Sequence, residues 1–502
     1  MCASELPFKG RRDNRSISGT LTVKGGDVEF VDGSTLVAEL ASDGTSDLLK
    51  VVRDTTGGTV TISNGTTLSV SAVSGASDSD YAIGTSHKII SATNGVTGTF
   101  TTVTDNFAFL NADVTYDTND VSVALQRNGN TFGSTVSGNN TNARSAAYAV
   151  SSLGESDPLY KAAVWSQNGN VDKTFQTLSG DTYVGTSTAM MAETGVTRNV
   201  VDSRIRSSFS GVAAMQMAEV ATHGDKADEE VQASGGPVLW AKGYGNWAQL
   251  DGSTGVTGLR SFSGGAIIGM DREILDGWRA GLFAGYGNTH TRADGVDATS
   301  DTDTYQIGAI GLRLGASYGW NDVSADRTVT VASLTNDLGA DYSAQTGQGF
   351  IELGYLARYN ATRFEPFANQ AIVYQRTDSF TESGGAAALS VDSSELTQGI
   401  TTLGVRFEQD LSKFLEGPVS LTGSLAWQHT FGDVDAETSM RFLSGGNTFR
   451  VTGAALDRDQ AAITAGFRGK VGQNATLDIT YEGTLGNDSQ SHGAEALLTL
   501  RF

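Results

Sequence analysis

The last 267 residues of the chain, 236–502, alternate apolar residues with polar residues or glycine in one segment after another. In residues 278–287, for example, Trp278, Leu282 and Tyr286 share one face, and glycine occupies much of the other. A period of two predicts β-strands, because successive side chains of a strand point to opposite faces. Apolar faces that end in aromatic residues are typical of strands between lipid and a hydrated interior. Soluble antiparallel sheets also alternate, so a single strand does not distinguish the two.

The number of strands favours a membrane barrel. Twelve strands are predicted, an even number of the kind found in outer-membrane barrels. We expect them near residues 238, 258, 277, 302, 312, 342, 363, 396, 418, 458, 474 and 490. Alternate connections are expected to be long and polar, at 289–301, 330–341, 379–396 and 432–458. The others are expected to be short, at 272–277, 360–362, 410–417 and 471–473. Long outer loops and short inner turns predict that both barrel ends are periplasmic.

One connection departs from this scheme. The fourth and fifth strands, 303–311 and 312–320, run together without an evident turn. We therefore expect either a distorted barrel at this point or a different strand register.

The C-terminus carries the most specific local signal. Leu498, Leu500 and Phe502 lie on the apolar face of the last strand, and the chain stops at an aromatic residue inside that strand. An open apolar edge strand invites aggregation. A closed barrel removes the edge, because the last strand pairs with the first.

Composition excludes several classes of function. The net charge of −22 argues against a nucleic-acid-binding surface, which needs excess Lys and Arg. No apolar run approaches 18 residues, which excludes a bundle of transmembrane helices. The single cysteine and five scattered histidines predict neither a disulfide nor a metal site, and no cofactor is expected.

An enzyme signal is weak. Residues 315–319 match the G-x-S-x-G pattern with Ser317 at its centre. The match lies in an alternating strand rather than in the strand–turn–helix elbow that this chemistry needs. We predict no catalytic residue, and a hydrolase remains the least favoured alternative.

The N-terminal residues 1–127 consist of short runs rich in Thr, Val and Leu, separated by Gly-Gly, Asn-Gly and Asp-Gly pairs. Such runs fit a β-sandwich or the coils of a β-helix. The scarcity of aromatic residues favours the β-helix.

Residues 128–235 lose the β alternation. Their runs of Ala, Met and charged residues predict helices at 143–153, 158–165 and 186–220. In the third helix an apolar stripe runs from Val196 to Phe209 at spacings of three to five. An ordinary amphipathic helix on a globular core would also show this stripe. The helix carries four charged residues among the apolar ones, namely Arg198, Asp202, Arg204 and Arg206.

Several of these segments, in this order, resemble the C-terminal part of the monomeric autotransporters of type V secretion, over nearly the whole chain. The matching pieces are residues 19–23 and 107–110, Leu178-Ser179-Gly180 with the helix 186–209, and residues 238–245, 364–368 and 500–502. None of these pieces is decisive alone.

The resemblance implies an all-β fold with a 12-stranded transmembrane antiparallel β-barrel, an α-helix in its lumen and a short β-helix before it. Residues 1–127 would be the end of a passenger with an autochaperone-like segment. Residues 128–235 would be a helical linker whose pore-spanning part is about 186–209. Residues 236–502 would be the translocator. The implied function is export and display of the passenger; a surface adhesin is the alternative.

The resemblance also implies roles for particular residues. Arg198, Asp202, Arg204 and Arg206 would face the barrel lumen. Their expected acidic partners there are Glu352, Glu408, Asp478, Glu482 and Glu495. Leu498, Leu500 and Phe502 would form the barrel-assembly signal.

The implied location is the outer membrane, with the N-terminal part at the cell surface. The implied partners are outer-membrane lipid, the barrel-assembly machinery, periplasmic chaperones and ligands on host cells, and no nucleic acid. Residues 1–15 contain basic residues but no apolar region of a signal peptide. We therefore expect a C-terminal fragment, a misassigned start or a broken gene.

Overall fold

The computed structural model describes residues 19–40, 45–72, 83–209, 236–275, 278–311, 313–359, 362–415 and 417–502. For 205–209 it describes the backbone alone. The chain start and residues 210–220 of the expected third helix therefore lie outside the described residues.

The N-terminal strands are short and lie in three small parallel sheets. Their bounds are β1 (Thr20–Lys24), β2 (Val28–Phe30), β3 (Thr35–Leu40), β4 (Leu48–Val52), β5 (Val60–Ile62), β6 (Thr67–Ala72), β7 (Ser86–Ala92), β8 (Val96–Gly98), β9 (Thr102–Asp105), β10 (Leu110–Tyr116) and β11 (Asp120–Arg127). Strands β1, β4 and β7 form one sheet, β2, β5 and β8 a second, and β3, β6 and β9 a third. The chain thus visits the three sheets in the same order three times. The antiparallel β10–β11 pair extends the first sheet at β7.

Apolar side chains fill the space between these three sheets. Leu40, Val60, Leu68 and Ile90 are completely buried. Polar side chains join successive passes at the turns: Asp27 accepts hydrogen bonds from the backbone and side chain of Thr59 at 2.9 and 2.6 Å. These bonds lower the pKa of Asp27.

Five helices follow, and side-chain caps fix where three of them begin. They are α1 (Phe132–Thr135), α2 (Thr141–Ser151), α3 (Pro158–Val164), α4 (Val171–Ser179) and α5 (Asp181–Phe209). Thr131, Asn140 and Asp157 accept hydrogen bonds from backbone N–H groups of the first turns of α1, α2 and α3. Gly180 ends α4 in the left-handed region at φ 68°, so α5 begins in a new direction. Among the described helices, none is both long and apolar enough to cross a membrane.

The C-terminal strands form one antiparallel sheet that closes on itself. Its long strands are β12 (Val238–Leu250), β13 (Leu259–Leu275), β14 (Trp278–Ala293), β15 (Ala298–Gly311), β16 (Leu314–Val331), β17 (Leu334–Gly354), β19 (Thr362–Thr377), β22 (Ser394–Asp410), β23 (Val419–Gly432), β26 (Asp459–Lys470), β27 (Ala475–Leu485) and β28 (Ser489–Arg501). The short β18 (Ala357–Tyr359) follows β17 and pairs with β19. β12 pairs with β28 over 13 residue pairs, and β17 pairs with β19. The sheet is a 12-stranded antiparallel β-barrel.

The outward face of the barrel is apolar, as the alternation predicts. Exposed side chains on this face include Leu282, Ile307, Trp320, Leu353 and Leu425. The inward face carries polar side chains such as Thr302, Asn321, Gln348 and Thr499, all buried. This polarity is the reverse of a soluble sheet packed on a core and fits a lipid-exposed barrel.

Aromatic rings on the inner wall lie over glycines of the neighbouring strand. The directly paired examples are Trp240 with Gly269, Phe283 with Gly308 and Phe350 with Gly315. A Cβ added at Gly269 would lie 2.2 Å from the Trp240 ring, so the residue must be glycine. The glycine content of the barrel therefore has a packing cause as well as a turn cause.

Two of the predicted outer loops are wrong. Residues 289–301 and 330–341 lie largely in strands, since β14 runs to Ala293 and β16 to Val331. β16 and β17 turn tightly after Val331, with Ala332 at φ 51°. The chain reverses direction between the fourth and fifth strands, because β15 ends at Gly311 and Gly311 pairs with Leu314 at the start of β16. The register differs from the predicted one, and the sheet pairs without a break on either side of that reversal.

The longer outer connections fold into a sheet of their own, the loop sheet. Its strands are β20 (Phe380–Thr381), β21 (Leu389–Val391), β24 (Glu437–Phe442) and β25 (Phe449–Thr452), in that order. Leu389, Val391, Met440, Phe442 and Val451 are buried in it. The sequence analysis treated both connections as polar loops and missed this sheet.

Enlarging Gly269 should prevent barrel formation. Gly269→Leu would place a side chain where the buried Trp240 ring lies, so we expect loss of the heat-modifiable, folded form on cold SDS electrophoresis. Gly243→Leu on β12 is the size-matched control, because Gly243 is exposed and a Cβ there meets no atom within 4 Å. Normal folding of Gly269→Leu would contradict the packing account.

Candidate functional site

The long helix α5 carries polar side chains that bond to inward-facing residues of the barrel. Near its start, Asp181 is buried and accepts hydrogen bonds from Thr257 N at 2.8 Å and Gln176 Nε2 at 2.6 Å. Its carboxylate also lies in the first turn, where the helix dipole favours negative charge. These bonds hold the first turn of α5 beside the β12–β13 connection.

Midway along α5, Glu193 bonds to two neighbouring strands. It accepts hydrogen bonds from Asn246 Nδ2 of β12 at 3.2 Å and from Ser263 Oγ of β13 at 2.9 Å. One turn later Thr197 Oγ1 donates to Gln306 Oε1 of β15 at 2.9 Å. Buried polar groups need such partners, since an unpaired group costs about 1–3 kcal/mol.

Arg198 and Asp202, both expected to face the lumen, are buried against barrel amides. Arg198 Nη1 donates to Gln348 Oε1 of β17 at 3.2 Å. Asn369 Nδ2 of β19 donates to Asp202 Oδ2 at 3.2 Å. The same stretch of α5 bonds to the opposite wall, where Asn199 Nδ2 donates to Glu482 Oε2 of β27 at 2.9 Å.

Arg204 makes the strongest contact between α5 and the barrel. Its Nε and Nη2 donate to the two carboxylate oxygens of Asp271 on β13, at 2.7 and 2.8 Å. Arg279 Nε of β14 donates to the same carboxylate at 2.7 Å. The side chains of Arg204 and Asp271 are 2% and 1% exposed. A bidentate pair of this kind fixes both the depth and the rotation of the helix.

The five expected acidic partners are on inward-facing positions, and four of them contact cations of the barrel itself. Glu352 accepts from both terminal nitrogens of Arg406, at 2.8 and 2.6 Å. Glu408 and Asp478 both contact Arg468, and Glu495 contacts Lys242. Glu482 accepts the hydrogen bond from Asn199 of α5.

Arg206 lies in α5, and its side chain is outside the described residues. Asp271, the acidic partner of Arg204, is not among the five partners expected from the sequence. The alternation of the strand could have indicated that Asp271 faces inward, because Asp271 shares a face with Gly269 while Met270 points outward.

Leu498 and Leu500 lie in the closing strand β28, and Phe502 follows the last residue of that strand, Arg501. Leu498 pairs with Ala241 and Leu500 with Leu239 across the β12–β28 seam. Leu498 and Phe502 point outward and are 39% and 74% exposed. Their expected role in assembly stays a prediction.

Space remains beside α5. One cavity of about 170 Å³ is lined by Ser203, Lys242, Arg406, Arg468 and Glu495, among others. A second of about 170 Å³ lies along Thr194, Arg198 and Asn199. Within the described ranges, no three His, Cys, Asp or Glu residues are grouped to hold a metal ion. The inward face of the barrel is polar, and side chains of α5 form hydrogen bonds with it.

Ser317, the centre of the G-x-S-x-G match, lies inside strand β16 and lines a small cavity beside Thr197 and Gln306. Its neighbours Tyr318 and Trp320 are 43% and 44% exposed on the outward face. The segment is a continuous strand rather than a nucleophile elbow.

Comparison with known proteins identifies the barrel region. Residues 239–482 match the family model described as the autotransporter beta-domain. Two extracellular serine proteases of Serratia marcescens are 29% and 28% identical to the chain over 518 and 521 aligned residues. These alignments cover 95% of this chain and 48% of each relative, so the chain spans about half the length of the curated relatives it matches.

Solved structures give a weaker likeness. The translocator domain of the autotransporter NalP from Neisseria meningitidis gives a TM-score of 0.41 at 11% identity, covering 60% of this chain and 97% of that one. The transport unit of AIDA-I from Escherichia coli gives 0.35 at 15% identity, covering 58% and 96%. The sequence match over residues 239–482 and the closed 12-stranded sheet show that the chain carries, in its C-terminal half, the outer-membrane β-domain of an autotransporter.

Proposed function

We propose that this chain is the translocator and anchor of an autotransporter, which exports and displays its own N-terminal segment, with α5 occupying the barrel lumen. The observation that carries the proposal is the pattern of hydrogen bonds from α5 to opposite walls. Thr197 bonds to β15 and Asn199 to β27, which are five strands apart in the ring of twelve. Arg204 and Asp202 bond to β13 and β19, also five strands apart. A helix that reaches opposite walls within two turns supports a position inside the barrel.

The length of α5 agrees with this role. Its 29 residues extend about 44 Å at about 1.5 Å per residue. The apolar layer of a bilayer is about 30 Å thick. The helix can therefore span the pore and leave its first turn at the outer mouth, where Asp181 contacts Thr257.

We propose that residues 1–127 are the end of a β-helical passenger. Three parallel sheets, each with one strand from three successive passes, support this interpretation. The proposed linker is 128–235, with about 186–209 as its pore-spanning part, and the proposed translocator is 236–502. Folding of the coil outside the cell, pass upon pass, would favour export.

Two functions can be considered for the displayed N-terminal segment, residues 1–127. Both relatives are named extracellular serine proteases, but this chain spans 48% of their length, so peptidase activity is not assigned to it. Adhesion through residues 1–127 is the second candidate. The exposed side chains of Val37 and Val31 on that segment are the surface it would use.

Breaking the Arg204–Asp271 pair should open the pore. Asp271→Ala removes the carboxylate that holds α5 and leaves two arginines facing a neutral site, which costs about 3–5 kcal/mol for a buried pair. We expect larger and more frequent conductance in planar bilayers than for the parent protein.

The control variant is Asp341→Ala, since Asp341 is exposed on the outward face of β17. Asp271→Asn should give an intermediate conductance, because the amide keeps one acceptor for Arg204. Conductance equal to that of the parent in Asp271→Ala, with folding retained, would oppose a lumenal helix held by this pair.

Export is tested directly by adding a cleavable signal sequence and an epitope at the exposed turn of residues 31–33. We expect antibody binding to intact cells and a heat-modifiable barrel in the outer membrane. A companion variant that ends after residue 488 removes β28 and the seam, and should show neither. An epitope that stays in the periplasm while the barrel folds normally would contradict the proposed export function.

A further inference from the structure

Helices α1–α4 and the outer ends of the barrel share an interface that the export function does not require. We infer that residues 131–180, here called the helical adapter, dock the N-terminal coil onto the loop sheet and the β16–β17 hairpin, and that this docking holds the coil on the barrel even when the backbone between them is cut. The inference concerns the folded protein and does not depend on export.

The first contact caps the edge of the loop sheet. β25 is the edge strand in the order β20-β21-β24-β25. The buried Asn142 of α2 donates through Nδ2 to Thr452 O at 2.8 Å and accepts from Thr452 N at 3.1 Å. The amide side chain thus makes both bonds that a further strand would make with this residue. The Asn142 side chain therefore covers this part of the β25 edge and leaves no backbone group of Thr452 open to another strand.

The second contact lies at the other end of α2. Asn447 N, in the β24–β25 turn, donates to Ser152 Oγ at 2.7 Å. The adjacent Gly446 has φ 78°, and a Cβ there would lie 2.8 Å from Ser152 Oγ. Backbone of the loop therefore approaches the end of α2 as closely as glycine allows.

The third contact joins α4, α5, the hairpin and the loop sheet. Arg327 of β16 forms a buried ion pair with Glu382 at 2.5 Å, and its Nη1 donates to Thr177 O of α4 at 2.7 Å. Tyr183 OH donates to the same Glu382 carboxylate at 2.5 Å. Tyr342 of β17 stacks on Phe380 with ring centroids 4.1 Å apart. Buried Arg and aromatic groups of this kind typically dominate protein interfaces.

The opposite side of the adapter is joined to the N-terminal coil by aromatic rings. Phe109 contacts Phe132 with centroids 4.7 Å apart, and Phe107 contacts Trp165 at 5.7 Å. Ala108 N donates to Ser166 O at 2.9 Å. Buried apolar residues form one continuous cluster from the coil through the adapter to the hairpin and loop sheet. The N-terminal coil is therefore joined to the barrel by non-covalent contacts as well as by the backbone.

The α2–α3 turn allows this inference to be tested on the whole protein. Gly154, Glu155 and Ser156 are exposed, and a Cβ at Gly154 meets no atom within 4 Å. A specific protease site inserted between Gly154 and Glu155 would separate α2 and the coil from α3, α4 and the barrel. We expect the two fragments to elute together in detergent without denaturant. Release of the N-terminal fragment upon cleavage would overturn the inference.

Asn142→Ala in the cleaved protein distinguishes docking on the loop sheet from packing against α4 alone. It removes the amide from both backbone groups of the half-buried Thr452, so we expect the N-terminal fragment to dissociate about tenfold faster. Asn139→Ala is the matched control, because Asn139 is exposed and lies three residues before Asn142, in the α1–α2 connection. Uncut Asn142→Ala should keep heat-modifiable folding. Equal dissociation rates for the two variants would overturn the role of the loop sheet.

Discussion

The rest of the structure depends on the closure of one hydrogen-bonded sheet. In a bilayer no water is available to bond exposed backbone groups, so a strand-built protein must pair the edges of its sheet. Here the seam is the register of β12 with β28, which joins Val238 to Arg501 and Leu250 to Ser489. Once the seam is closed, alternation assigns every side chain to lipid or to the interior. The polar contacts of α5 and the ion pairs of the inner wall follow from that assignment.

The interior is a site where charge must be matched. Asp271 accepts from Arg204 and Arg279, Glu352 from Arg406, and Glu495 contacts Lys242. Removing one partner of a buried pair is far more costly than the pair is worth, so such contacts specify position more than they add stability. The sequence places these charges on one face of each strand, and the barrel brings the faces together.

Much of this architecture could be predicted from the sequence, because a period of two is a local signal. All strands except the sixth begin within four residues of the expected position, whereas β17 begins at Leu334 rather than near 342. Arg204 was predicted as a helix residue from its place in the apolar stripe of 196–209. Asp271 was not predicted as its partner, because that pairing depends on the rotation of α5 against β13, which no local pattern encodes. The loop sheet and α4 were missed for a related reason. Their short segments gain stability from packing against the adapter and hairpin, not from a pattern of their own.

The most direct test of the lumenal helix is cross-linking to opposite walls. With Cys2 replaced by serine, cysteines are placed in two separate proteins at Thr197 with Gln306 and at Asn199 with Glu482, pairs that hydrogen-bond to β15 and β27. The account predicts that a short bifunctional thiol reagent cross-links both pairs within the folded outer-membrane protein, because it spans the gap that the replaced side chains bridged. Cross-linking of neither pair, or of one alone in a fully folded protein, would contradict a helix that contacts both sides of the barrel.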